Sequence, residues 1–225
     1  MHSALVAPDG NCPTPTWDAY CAAVFPDPDV RAWALRVMSI GFTGCPDPAL
    51  PILYGRERSG KTGFVEILLD VLGTYGRPAN AKLLQAGDRG HDVIVYELKG
   101  ARLAFIDEGP KDNYGAVERL KQLTGGGKLT GRGMGANPIV FSPTHTLAMT
   151  TNHAPQLTDP ALRARARLIP CNTLEEIVKP LRLKLLSNEP TLKVEAPGIL
   201  ARMMCEAAAY LEDRNSASTE MAPLS

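Results

Sequence analysis

The stretch YGRERSGKTGF, residues 54–64, limits the possible folds more than any other part of the chain. Gly55 is followed by four residues and then by Gly60, Lys61 and Thr62, the spacing G-x-x-x-x-G-K-[ST] of a phosphate-binding loop. Such a loop needs a strand before it and a helix after it, because loop N–H groups and the helix N-terminus together face the phosphate. LPILY supplies a short apolar run ending at Gly55, and TGFVEILLDVLG supplies an amphipathic helix. Gly55, Arg56, Glu57, Arg58, Ser59, Gly60, Lys61 and Thr62 are therefore the candidate nucleotide-binding residues. Arg56, Glu57 and Arg58 make the loop more charged than is usual, and they are expected to face solvent or a neighbouring subunit.

Chemistry at the loop requires partners. The Lys61 ammonium can neutralise β- and γ-phosphates, and the Thr62 hydroxyl can bind Mg²⁺. ARLAFIDE, residues 101–108, is a second apolar run that ends on Asp107 and Glu108. Asp107 is the candidate metal ligand and Glu108 the candidate base for an attacking water. The plainer reading is a solvated strand end before a turn at Gly109-Pro110. THTLAMTTN is a third apolar run, and its last residue, Asn152, either orients that water or simply makes a turn. In DPALRARARLIP, Arg163, Arg165 and Arg167 line a solvated face of a strand or helix, or they supply an arginine finger to a neighbouring subunit.

The remaining chain reads as strands alternating with helices, which implies a parallel sheet in an α/β domain. Residues 1–16 read as a disordered lead-in, 17–41 as helical, 116–124, 173–187 and 197–212 as further helices, and 213–225 as a frayed tail. Residues 74–92 carry no clear pattern. The segment GGGKLTGRGMGANP, residues 125–138, is either a flexible loop or a hairpin that offers Lys128 and Arg132 to a nucleic-acid backbone.

With 24 Lys and Arg against 24 Asp and Glu, the formal net charge is zero, so any nucleic-acid contact must come from a local patch. Five scattered cysteines without a C-x-x-C pair exclude a disulfide framework and a zinc site, and fit a reducing compartment. The four histidines show no metal spacing. No apolar stretch approaches the ~18 residues that span a bilayer. The expectation is a cytoplasmic protein of a bacterial host or a virus.

Read in order, WDAYCAAVFPDPDVRAWALRVMSIGFTG, LYGRERSGKT, GARLAFIDE, LKQLTGGGKLTGR, TTNHAPQL and RLIP resemble the superfamily 3 helicase module of phage and plasmid primase-helicases and their poxvirus relative. The resemblance covers roughly residues 17–212. It implies an AAA+-like P-loop NTPase: a central parallel sheet flanked by helices, with an N-terminal helical region over 17–48 that helps hold a ring together and an ATPase core over 49–212. It implies ATP with Mg²⁺, a homo-hexamer, and single-stranded or forked DNA as partner, the module either standing alone or joined to a primase domain or protein. By position, Lys61 and Thr62 take Walker A roles, Asp107 and Glu108 Walker B roles, and Asn152 the sensor role. Lys121, Lys128 and Arg132 fall in the motif whose hairpin faces DNA. The chain departs from the family at Gly127, where an acidic residue is usual, at Ala164, which replaces the first of two paired arginines, and at Gly135, where an aromatic residue is often found. Arg165 matches the second arginine and Arg163 is its alternate. The implied activity is an ATP-dependent DNA helicase acting in replication. The rival readings are a nucleotide-dependent ring-forming loader or origin-binding scaffold and, more remotely, a small-molecule kinase.

Overall fold

A computed structural model describes residues 6–45, 47–84, 91–108, 117–155, 157–171, 173–186 and 190–220, without the side chains of 91, 117 and 215–220. The centre is a five-stranded parallel sheet: β1 (Leu50–Tyr54), β2 (Gly76–Pro78), β3 (Leu103–Ile106), β6 (Thr146–Thr151) and β7 (Ala166–Pro170), in the order β2-β3-β6-β1-β7. A separate antiparallel hairpin pairs β4 (Leu129–Gly131) with β5 (Ile139–Phe141). The helices are α1 (Pro15–Val24), α2 (Pro28–Thr43), α3 (Lys61–Leu72), α4 (His91–Tyr96), α5 (Val117–Thr124), α6 (Pro160–Arg165), α7 (Glu175–Leu186) and α8 (Pro190–Glu220).

Side-chain alternation along the strands sorts the core into two layers. Leu53, Leu103, Phe105 and Ala148 face α1, α2, α3, α7 and α8. Leu50, Ile52, Ala104, Ile106, Leu147 and Met149 face α4, α5, α6 and the hairpin. Strands buried on both faces read as continuous apolar runs, which is why LPILY, LAFI and TLAM were legible as strands. The α/β fold with helices on both faces of a parallel sheet is thus as expected.

Two expectations are corrected, and the helical reading of residues 17–41 is sharpened. Residues 17–41 form two helices, because Pro26 and Pro28 interrupt the pattern. Asp27 caps the second helix, accepting from the N–H groups of Asp29 (2.8 Å) and Val30 (3.3 Å), and Gly44 ends it at φ +67°. The lead-in is held down within its described part: Asp9 N donates to Pro197 O (3.0 Å), and the Cys12 backbone lies so close to α8 that a Cβ on Gly198 would sit 2.3 Å from Cys12 O. The helix α8 runs through Glu220 into the expected tail, where Arg214 pairs with the buried Asp47 (2.9 Å). Residues 1–5, 221–225 and the turn expected at Gly109-Pro110 lie outside the described residues.

The N-terminal helices are part of the same core as the phosphate-loop helix. Trp17 stacks on Phe64 (centroids 5.3 Å apart, planes 11° apart), and Phe25 meets the same ring edge-on at 5.0 Å. Glu195 of α8 accepts from the N–H groups of Thr16 and Trp17, fixing the start of α1.

Two stability measurements follow. Trp17→Ala leaves a large cavity against Phe64 and costs about 3–5 kcal/mol, read by chemical denaturation. His145 is buried, and burial pulls its pKa down from 6.5 to about 4. The unfolded chain therefore binds this proton more readily, so the stability present above pH 6.5 is lost as pH falls toward 4. Between pH 7 and pH 5 the loss is about 2 kcal/mol, and a His145→Gln variant shows a correspondingly flatter pH profile.

Candidate functional site

The phosphate loop leaves the carboxyl end of β1 and enters α3 at Lys61. Its shape depends on residues with positive φ: Gly55 (+142°), Arg58 (+59°) and Gly60 (+92°). At Gly60 a Cβ would meet Val24 Cγ2 at 2.7 Å, so the position excludes any side chain. Tyr20 of α1 donates its hydroxyl to Gly60 O (3.0 Å), holding the loop from behind. Lys61 is 5% exposed, and its Nζ donates to Gly55 O (2.8 Å) and Arg56 O (2.6 Å). Burial pushes the pKa of this ammonium down. The Ser59 hydroxyl is buried without a protein partner and borders the same cleft. An orphaned buried hydroxyl, a compact ammonium and a Cβ-free turn suit a loop built to receive oxygen atoms of a ligand.

The acidic pair sits beside the loop because β6 lies between β1 and β3. The register Ile106↔Met149 puts Asp107 abreast of Thr150, and Leu53↔Thr150 links that level to β1. Asp107 Oδ1 accepts from Thr62 Oγ1 (3.0 Å) and from Thr150 Oγ1 (2.8 Å). Thr150 Oγ1 in turn accepts from Glu108 N (3.1 Å), in a turn where Glu108 has φ +53°. Asn152 follows β6 and faces the same cleft of about 450 Å³ as Lys61, Thr62, Asp107 and Glu108. The Thr62–Asp107 pairing is a set of oxygen donors that fits Mg²⁺.

Thr150 escaped the sequence reading, since threonine in an apolar run reads as an ordinary strand former. Alternation was the available signal: Thr150 and Asn152, two apart, face one side. The helix α7 was expected, but not its place at the cleft, to which it brings Glu175, Lys179 and Arg182 at helical spacing. Glu175 binds Arg58 (3.0 Å) and Lys179 (3.4 Å), and these partners pull its pKa down, Arg58 most. Arg182 Nη2 binds Glu66 Oε2 (3.0 Å). Of the charged triplet, Arg56 is exposed, while Glu57 and Arg58 border the cleft and Arg58 leans on α7.

The three arginines do not share one face. Arg163 and Arg165 end α6, whereas Arg167 lies on β7, because the chain switches from helix to strand at Ala166. None of them lines the cleft of its own chain. Arg163 Nη2 donates to Thr158 O (3.2 Å) and Arg165 Nη1 to Ala161 O (3.0 Å). The glycine-rich segment does form a hairpin. Lys128 and Arg132 flank β4 and are exposed, and Met134 at the turn is 91% exposed. Lys121 lies apart on α5, with its ammonium bound to Glu118 (2.9 Å). Among the described residues no His/Cys/Asp/Glu cluster forms a separate metal site, and no helix is long and apolar enough to cross a membrane.

The model of a family of unknown function, DUF5906, matches residues 53–165, half of the chain, from the end of β1 through α6. The chain belongs to DUF5906. This DUF5906 chain is 25% identical over 188 residues to an Acanthamoeba polyphaga mimivirus protein named "putative helicase", covering 81% of this chain and 19% of that protein. It is 24% identical over 136 residues to an African swine fever virus protein named "putative primase", covering 58% of this chain and 14% of the relative. It thus spans a fifth or less of these viral relatives. Among solved structures, the C-terminal region of NrS-1 matches with a TM-score of 0.64 at 13% identity, over 93% of this chain and 53% of that one. JCV helicase, solved with a bound small molecule, matches with a TM-score of 0.54 at 16% identity, over 95% and 63%. The fold is therefore shared with a viral helicase, and the sequence is similar to viral proteins named as helicase and primase.

The hydroxyl bridge makes a test that needs no ligand. Thr150→Val removes a donor from Asp107 and leaves the Glu108 N–H without its acceptor, which costs about 1–3 kcal/mol in urea unfolding.

Proposed function

We propose that this chain is the ATPase module of a superfamily 3 replication helicase, of the kind carried by phage and plasmid primase-helicases. The observation that carries the reading is the meeting of Thr62 and Asp107 at 3.0 Å in the cleft that also holds Lys61, Glu108 and Asn152. A phosphate loop, an acidic strand end and a polar strand tip converge there, which is the set that phosphoanhydride hydrolysis needs.

In this mechanism the loop N–H groups and the α3 N-terminus receive the phosphates. Lys61 exchanges its loop carbonyls for β- and γ-phosphate oxygens. Thr62 and Asp107 would hold Mg²⁺, which would supply positive charge to the phosphates. Glu108 takes a proton from the attacking water, and Asn152 orients that water. Arg165, or Arg163, serves the site of the adjacent subunit in a homo-hexamer, which accounts for their distance from the cleft of their own chain. The N-terminal helices contribute to the subunit contact: Trp33 of α2 is 43% exposed and Leu168 of β7 36%, joined by a bond from Trp33 Nε1 to Leu168 O (3.2 Å). Lys128 and Arg132, repeated around a ring, give a basic pore for single-stranded DNA inside a neutral protein. Lys121, tied to Glu118, contributes less.

A second reading, a ring-forming loader with little motor activity, is favoured by Ala164 in place of one paired arginine. ATP hydrolysis with and without single-stranded DNA separates the two. The motor shows stimulation by DNA and displaces a strand from a forked duplex, with Lys61→Ala inactive in both assays. Wild-type protein that hydrolyses ATP yet displaces no strand removes the helicase reading. For the finger, Arg165→Ala lowers kcat by about 10³-fold or more, and mixing it with Lys61→Ala subunits restores part of the rate, since interfaces that join the intact Lys61 of one variant to the intact Arg165 of the other are complete.

A further inference from the structure

We propose that Arg182 is a phosphate ligand of the nucleotide site, held in reserve by Glu66. This rests on the nucleotide reading above and adds a cis cation that the sequence pattern does not reveal.

Gly63 carries the argument. It lies inside the first turn of α3, where a glycine costs about 1 kcal/mol relative to alanine. A Cβ there would stand 2.7 Å from Arg182 Nε, 2.8 Å from its Cδ and 2.6 Å from the Tyr20 hydroxyl. The glycine leaves room for the Arg182 side chain across the start of the helix, in the cleft that Lys61 and Thr62 also line, while the Tyr20 hydroxyl, fixed on Gly60 O, is the firmer bar to a side chain. A cation laid over the N-terminus of a helix is in an unfavourable field, because that end carries partial positive charge. Glu66 offsets this: its Oε2 accepts from Arg182 Nη2 at 3.0 Å.

That pair is built to exchange. Its side chains are 46% and 41% exposed, so it is worth no more than about 1 kcal/mol. Thr62 and Glu66 are four residues apart on one face of α3, so moving from one to the other is a shift of about 5–6 Å, within reach of an arginine side chain. A triphosphate presents more charge than one carboxylate, and a guanidinium binds phosphate oxygens in pairs. Two other cations beside the cleft are similarly engaged: Arg58 and Lys179 share Glu175. Phosphate binding therefore draws Arg182 from Glu66 towards the N-terminus of α3, and the Arg58–Glu175 pair couples α7 to the loop.

The test is binding of a fluorescent N-methylanthraniloyl ATP to the full chain with Mg²⁺, in wild type, Arg182→Ala, Glu66→Gln and Lys61→Ala. Arg182→Ala should raise Kd about tenfold or more, with its thermal unfolding in the absence of nucleotide close to wild type. Glu66→Gln should lower Kd several-fold, because it frees the arginine. A merely structural ion pair predicts the same sign for both changes. Wild-type affinity in Arg182→Ala, or weakened binding in Glu66→Gln, overturns the proposal while leaving the nucleotide site intact if Lys61→Ala still abolishes binding. Absence of binding in wild type overturns the nucleotide reading and this proposal with it.

Discussion

One carboxylate oxygen joins three neighbouring segments of the sheet edge. Asp107 Oδ1 takes hydroxyls from Thr62, at the start of α3, and from Thr150, near the end of β6. The geometry exists only because β6 is inserted between β1 and β3, so that loop, acidic pair and Asn152 leave the sheet on the same side. Ligands of open parallel sheets bind outside the carboxyl ends of the strands, where successive connections run to opposite sides. The order β2-β3-β6-β1-β7 puts the phosphate loop at such a point.

The loop itself is shaped from outside the sheet. Val24 packs where a Gly60 side chain would be, Tyr20 fixes the Gly60 carbonyl, and Trp17 and Phe25 grip Phe64. The first helix is therefore a wall behind the phosphate loop. α8 links this wall to the rest, capping α1 through Glu195 and holding the segment before β1 through Tyr210 and Arg214 on Asp47.

Much of the site was legible because its parts are local. A strand, a glycine-spaced loop and a helix follow each other directly, and an apolar run ending in two acids announces its own strand end. The glycine-rich hairpin was legible for the same reason. What depended on long-range packing was not: the ordering of the lead-in against α8, the continuation of α8 into the tail, and the arrival of α7 at the cleft. Arg182 is separated from Glu66 by more than half the chain, and a sequence with no partner structure gives no sign that they meet. The helical character of 17–41 was legible, and Pro26 and Pro28 mark where it divides into α1 and α2.

The crowding at Gly63 also bears on the order in which the molecule assembles. Tyr20 from near the beginning and Arg182 from the last third of the chain converge on a residue in its first third. Contacts of such sequence separation are slow to close and come after local structure. The strand and helix around the loop can form early, but the loop reaches its working shape only when both distant segments have docked. The shape of the cleft is thus a property of the fully folded chain, and a nascent chain still lacking α7 would carry the phosphate-loop sequence without the finished cleft beside it.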